Sequence, residues 1–315
     1  MPPLHPDLEA FLELAAAPSR TPMSALSPAQ ARDAYAQSSL LLDLPGAELP
    51  VEAPTLPCRD GARLPARLYL GAPRAAAGPS PVLLFFHGGG YVLGNCDSHD
   101  ALCRDLAHTA QCAVLSVDYR LAPEHRFPTA FEDAEDAHRW LLAHGADWQL
   151  DTRRLAVGGD SVGGTLATAL CLAAREAGRP QPCLQLLLYP CTAAWQDSPS
   201  HQRYATGHLL EQDTLQWMFQ HCLSSEADRQ DWRFAPLQAA SLTGLAPAGI
   251  ALAEHDPLVD EGLAYAGRLR AAGVPVALKV YEGMVHDFAR LGQIVPDAAL
   301  QLRQDLAAQL RAAFG

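Results

Sequence analysis

Basic charge is scarce in this chain of 315 residues. Lys and Arg number 23 against 35 Asp and Glu, the formal net charge is −12, and Lys279 is the single lysine. That balance excludes the basic surfaces that hold nucleic acid or anionic membranes by charge. Eight cysteines are scattered without a Cys-x-x-Cys pair or any metal-ligand spacing, so each reads as an isolated thiol and no metal is expected. No apolar run approaches the length of a membrane span, and Met1-Pro-Pro-Leu-His-Pro-Asp7 lacks a basic stretch followed by an apolar one. The expectation is a soluble, cytoplasmic, reduced protein with no stable membrane association and no nucleic-acid partner. Internal repeats are also missing, and the Ala-rich stretches Ala15 to Ala17 and Ala75 to Ala77 read as helix and loop.

What is present, after residue 60, is an alternation of strand-like and helix-like segments. Apolar runs predict strands at Pro65 to Leu70, Val82 to Phe86, Ala113 to Val117, Leu155 to Val157, Leu184 to Leu188, Ile250 to Ala253 and Val276 to Val280. Helices are expected at Asp97 to Ala110, Thr129 to His144, Glu261 to Ala272 and Pro296 to Phe314. Such alternation implies an α/β fold with a mostly parallel central sheet covered by helices on both faces.

Two glycine-rich stretches follow two of these strands. Gly159-Asp160-Ser161-Val162-Gly163-Gly164 leaves Leu155 to Val157 and enters the helix-forming run Thr165 to Arg175. A Gly-x-Ser-x-Gly match is weak alone, but a strand-turn-helix context gives it meaning: the turn projects a serine hydroxyl into a cleft beside the N–H groups of a helix start. His87-Gly88-Gly89-Gly90-Tyr91 follows Val82 to Phe86 and offers further amide donors with no side chains in the way, the makings of an oxyanion hole. Gly88, Gly89 and Val162 are assigned to it, although sequence leaves open which two of Gly88, Gly89 and Gly90 donate. His87 is expected to hold that loop by hydrogen bonding.

A serine nucleophile needs a base and an acid to orient the base. Of twelve histidines, His5, His138, His144, His201, His208 and His221 lie in polar or amphipathic stretches and read as solvated. His286 differs, in a loop after the Val274 to Val280 run near the C-terminus. The acid should follow the preceding parallel strand, where Asp256 stands before Pro257, while Asp260 and Glu261 suit the positive end of the next helix. Glu254 is still nearly in the strand, and Asp287 adjoins His286 too closely to reach its Nδ1. The order Ser161, Asp256, His286 is that of α/β-hydrolases.

These motifs, together with Asp118-Tyr-Arg-Leu-Ala-Pro-Glu-His125 and Asp256-Pro-Leu-Val-Asp-Glu-Gly262, resemble the hormone-sensitive-lipase-like esterases of the α/β-hydrolase fold over roughly residues 50 to 315. The resemblance implies a serine carboxylesterase for short to medium acyl chains, working on a small-molecule ester through an acyl-enzyme, with no cofactor and with a helical cap. Cap helices are expected in residues 1–45 and in the insertion 191–235, around a catalytic core of 46–190 and 236–315. Val162 stands where the family usually has Ala, and Asp287 where it usually has Gly. An amidase or deacetylase would use the same triad, and a non-catalytic small-molecule receptor the same scaffold, though a receptor has no need of Ser161, Asp256 and His286 together.

Other residues bear on specificity. Trp217 and Met218, in an aromatic-rich part of the insertion, together with Tyr91 and Asp160, are candidates for the substrate pocket. Arg120 to Phe127 reads as structural, with Asp118, Arg120, Glu124 and His125 able to neutralise one another. The Val276 to Val280 strand offers an edge for pairing in a homodimer.

Overall fold

The computed structural model describes residues 3–16, 21–71 and 78–315, so Ala17 and Ala75 to Ala77 lie outside the described residues. The chain opens with helices α1 (Pro6–Ala15) and α2 (Pro28–Leu42), the latter started by a capping box in which Ser27 and Gln30 satisfy each other's backbone N–H. Strands β1 (Val51–Glu52), β2 (Thr55–Pro57), β3 (Arg63–Leu70) and β4 (Ser80–Phe86) follow, then α3 (Asp100–Ala110), β5 (Ala113–Val117) and α4 (Thr129–His144). The centre of the chain gives β6 (Leu150–Asp160), α5 (Val162–Glu176), β7 (Leu184–Leu188), α6 (Pro199–Arg203) and α7 (Gln212–Cys222). It closes with β8 (Ala248–His255), α8 (Val259–Ala271), β9 (Val276–Val285) and α9 (Pro296–Phe314).

The seven expected strands are all present. β1 and β2 are additional: at two and three residues they carry no run long enough to show a period. Strand order is β1-β3-β5-β4-β6-β7-β8-β9, with β2 also on β3. β3 is antiparallel to its neighbours, and β5, β4, β6, β7, β8 and β9 run parallel.

Side-chain alternation along the strands divides the interior in two. In β4, Val82, Leu84 and Phe86 face a core shared with α4, α5 and α8, while Leu83 and Phe85 face one shared with α1, α3 and α9. Helices therefore cover both faces, which a parallel sheet requires. The chain passes from β4 to β5 on one side and then to β6 on the other. The carboxyl ends of β4 and β6 thus flank a crevice at the switch point of the sheet, the place where α/β proteins bind ligands.

Three expectations about polar residues are corrected. His138 and His201 are buried rather than solvated: α4 packs His138 into the interior, and His201 lies 3.4 Å from the Glu261 carboxylate. Asp118, Arg120 and Glu124 do not neutralise one another. Asp118 accepts from the Cys96 N–H at 2.6 Å, Arg120 pairs with Asp133 and Asp60, and Glu124 pairs with Arg32 of α2. Partners distant in sequence win because the loop folds away from itself.

Candidate active site

The end of β6 sets the geometry. Ser161 lies between β6 and α5 at φ 54, ψ −121, a conformation costing on the order of 1–3 kcal/mol that persists only where its surroundings enforce it. They do so here: the Ser161 N–H donates to Leu188 O at 2.9 Å, and its carbonyl accepts from Gly164 N at 3.0 Å and Cys191 N at 3.1 Å. The turn is also close-packed, since a Cβ on Gly163 would lie 2.0 Å from Phe86 O. Ser161 is 8 % exposed and lines a cavity of about 170 Å³.

His286 lines the same cavity, and its Nδ1 lies 2.6 Å from Asp256 Oδ2. Asp256 is fully buried, and its other oxygen accepts the Leu258 N–H at 2.8 Å, so the carboxylate is held by the turn that starts α8. Burial alone would push the imidazole pKa down, but the Asp256 charge and hydrogen bond outweigh it, and the net shift is upward. The Tyr189 ring packs on the imidazole at 4.7 Å. Asp260 and Glu261 lie in the first turn of α8, where they accept from the Ser200 N–H and from the Thr192 and Ala193 N–H groups. Glu254 accepts from the Gly283 N–H at 2.9 Å.

One expected oxyanion donor is corrected. The Gly88 N–H donates to Asp160 Oδ1 at 2.9 Å, and Gly88 does not line the cavity. Gly89, Gly90 and Val162 do line it, and among the described residues no hydrogen bond engages their N–H groups. Asp160 also meets His99 Nε2 at 3.1 Å. Burial would raise its pKa, yet the neighbouring His99, Arg290 and His87 bring it below the usual carboxylate value. Asp160 therefore reaches the cavity but spends its oxygens on the glycine loop and His99. His87 is driven down to about 4 by burial and by His99, so its ring is neutral near pH 7. A neutral ring places the proton on Nδ1, which donates to Gly88 O at 2.8 Å and braces the loop as expected.

Two of the pocket candidates belong to the core. Tyr91, 4 % exposed, packs on Phe234 at 5.8 Å between ring centres, and Trp217 turns to His221 at 4.7 Å. Neither lines the cavity, whereas Met218, one residue along α7, does. Further walls come from Tyr35, Ser38 and Ser39 of α2 and Leu215 and Phe219 of α7, which lie in the segments expected as cap, and from Arg290, which went unread. Asp287 neither meets the imidazole as its acid nor points freely to solvent, because it forms an ion pair with Arg290. Nothing in the motifs signals these walls, since each lies far in sequence from Ser161. Among the described residues no group of three His, Cys, Asp or Glu is placed to hold a metal, and no helix is long and apolar enough to cross a membrane.

Known proteins resemble this chain over most of its length. A family model of the alpha/beta hydrolase fold matches residues 83–290. An ethyl acetate hydrolase of Pseudomonas putida is 46% identical over 306 residues, covering 94% of this chain and 95% of that protein. A carboxylesterase of Mycobacterium tuberculosis is 39% identical over 269 residues, covering 84% and 83%. The crystal structure of a thermostable esterase from Pseudomonas putida ECU1011 superposes with a TM-score of 0.94 at 35% identity, over 100% of this chain and 99% of the other. With a model spanning most of the chain and relatives of this identity across nearly all of it, the chain is a carboxylic ester hydrolase and belongs to the hormone-sensitive-lipase-like carboxylesterase family of the α/β-hydrolases.

Proposed function

We propose that the enzyme hydrolyses esters of short to medium acyl chains by a serine mechanism through an acyl-enzyme. The observation that carries this reading is the 2.6 Å contact between His286 Nδ1 and Asp256 in a cavity that Ser161 also lines. Asp256 fixes the tautomer in which Nε2 is free to take the Ser161 proton. The Ser161 Oγ attacks the ester carbonyl, and the N–H groups of Gly89, Gly90 and Val162 receive the charge that develops on its oxygen. Each donor of that kind is worth about 10²–10³ in kcat. His286 then returns the proton to the departing alcohol, and water, activated by the same imidazole, releases the acid and restores Ser161.

Support for a confined acyl side comes from Val162, Leu215, Met218 and Phe219, apolar residues that line the cavity of about 170 Å³. Helix α7, which carries Leu215, Met218 and Phe219, and helix α2, which brings Tyr35, Ser38 and Ser39 to the cavity, act in this reading as the cap. Initial rates on p-nitrophenyl acetate, butyrate, octanoate and palmitate, with Ser161→Ala alongside, test the proposal. Rates that fall with chain length and vanish in the variant are expected. Turnover that survives Ser161→Ala would overturn it.

A further inference from the structure

The alcohol half of an ester must lie beside His286, because the imidazole that takes the Ser161 proton hands it on to the departing oxygen; this step rests on the mechanism proposed above. Next to His286 the cavity has a polar wall section, made by Asp287 and Arg290 from the same loop and by Tyr35, Ser38 and Ser39 of α2, with Leu42 and Leu291 beside it. The wall supplied by α7 is mostly apolar. The two halves of a bound ester therefore meet unlike surroundings.

The polar wall is built around an ion pair in which Arg290 is buried and Asp287 half-buried. Arg290, 5 % exposed, donates from Nε to Asp287 Oδ1 at 2.9 Å and from Nη2 to Oδ2. Its Nη1 donates to Ser39 Oγ at 2.7 Å and to Ser98 O at 3.3 Å, and the guanidinium lies 4.4 Å from the centre of the Tyr35 ring. A pair of this kind is a weak device for stability alone, because desolvating the buried guanidinium and the half-buried carboxylate offsets much of their attraction. Asp287 moreover sits at φ 68, a left-handed conformation that favours glycine. A strained backbone and a charge pair with a buried guanidinium, together at the cavity wall beside the reacting imidazole, point to a ligand.

Hydrogen-bond capacity names its class. A guanidinium has five N–H groups, of which four have partners among the described residues, leaving one on Nη2. The Asp287 carboxylate takes two bonds from Arg290 and has lone pairs to spare. A substrate carboxylate would face Asp287 and a substrate ammonium would face Arg290. A neutral hydroxyl, which donates and accepts at once, matches both. Ser38 gives its own proton to Tyr35 O at 2.9 Å and so presents a further acceptor on the same wall.

We propose that this wall is a hydroxyl-binding subsite, and that the enzyme prefers short-acyl esters of small hydroxylated alcohols such as glycols and glycerol, with Asp287 and Arg290 as specificity-determining residues. Acid release from 2-hydroxyethyl acetate and n-propyl acetate, which are matched in size, tests it in the full chain. The wild type is expected to show a kcat/KM at least about tenfold higher on the hydroxylated ester, the ratio one charge-assisted hydrogen bond provides. Asp287→Gly combined with Arg290→Met removes both charges together, and glycine suits φ 68. In that variant the ratio should fall to near one. Equal rates on the two esters in the wild type, or a variant that keeps the wild-type ratio, would overturn the subsite; the wild-type ratio alone decides where the variant does not fold. Absence of turnover on every ester, p-nitrophenyl acetate included, would overturn the esterase mechanism and the subsite with it.

Discussion

Two opposing effects meet at His286. Burial favours the neutral imidazole, while the Asp256 carboxylate 2.6 Å from Nδ1 favours the imidazolium, and the second prevails. The base works only when neutral. The acid limb of the kcat/KM profile should therefore lie above the ordinary imidazole value of about 6.5. Asp256→Asn removes the charge and leaves the burial, so the limb should move to lower pH while kcat falls by about four orders of magnitude. A pH series on p-nitrophenyl acetate, run for wild type and variant, reads both effects. Near-normal turnover in Asp256→Asn, with the loss appearing in Asp260→Asn instead, would refute the assignment of the acid. The residues behind this prediction were legible because each follows a strand in an ordered motif. Gly88 was misread because its amide is claimed by Asp160, 72 positions along the chain, and no local pattern reports that.

Among the elements, α8 does more than cover the sheet. Its first-turn residue Glu261 reads in the sequence as an ordinary acidic helix opener. Folding instead buries it, where it accepts the Thr192 and Ala193 N–H groups and ties α8 to the loop after β7. Burial, opposed by those two amides and reinforced by Asp256, raises its pKa to about 8. Between the ordinary carboxyl value of about 4.3 and that figure, the folded chain holds a proton the unfolded chain has lost. The contribution of this group is thus full at acid pH and drains away as pH rises to about 8, by a few kcal/mol in all. Glu261→Gln keeps a neutral acceptor for both amides and removes the titration. Thermal midpoints of the two proteins should agree near pH 5, and the variant should be the more stable near pH 8.5. A difference that does not change with pH would mean that Glu261 keeps its charge inside the fold. Strands and long helices were legible at this scale because period and length announce them. β1 and β2 were not, being too short to carry a pattern and defined only by pairing with β3.

For the molecule as a whole, the site lies at the carboxyl ends of β4 and β6, yet its walls come from both ends of the chain. Leu42 and Met23 stand near the start and Arg290 and Leu291 near the end. Apolar spacing in the first 45 residues reveals two helices but not what pins the second over the crevice. That work falls to Arg32, whose guanidinium donates to Val92 O at 2.8 Å and Ala122 O at 2.8 Å and pairs with Glu124, and to Ser39, which receives Arg290. These contacts join positions 60 to 251 residues apart, so the sequence could mark the helix without marking its seat. Removing residues 1–45 takes away one cavity wall and leaves Arg290 without the Ser39 hydroxyl. The core keeps its sheet, so ester hydrolysis should survive while the preference for short esters relaxes. Arg32→Met, which strands two carbonyls at about 1–3 kcal/mol but keeps the helix, should relax it by less. Relative rates across the p-nitrophenyl series, and across acetates of increasingly bulky alcohols, give the measure. A truncated enzyme with the wild-type profile in both series would mean that α2 covers the site without shaping it.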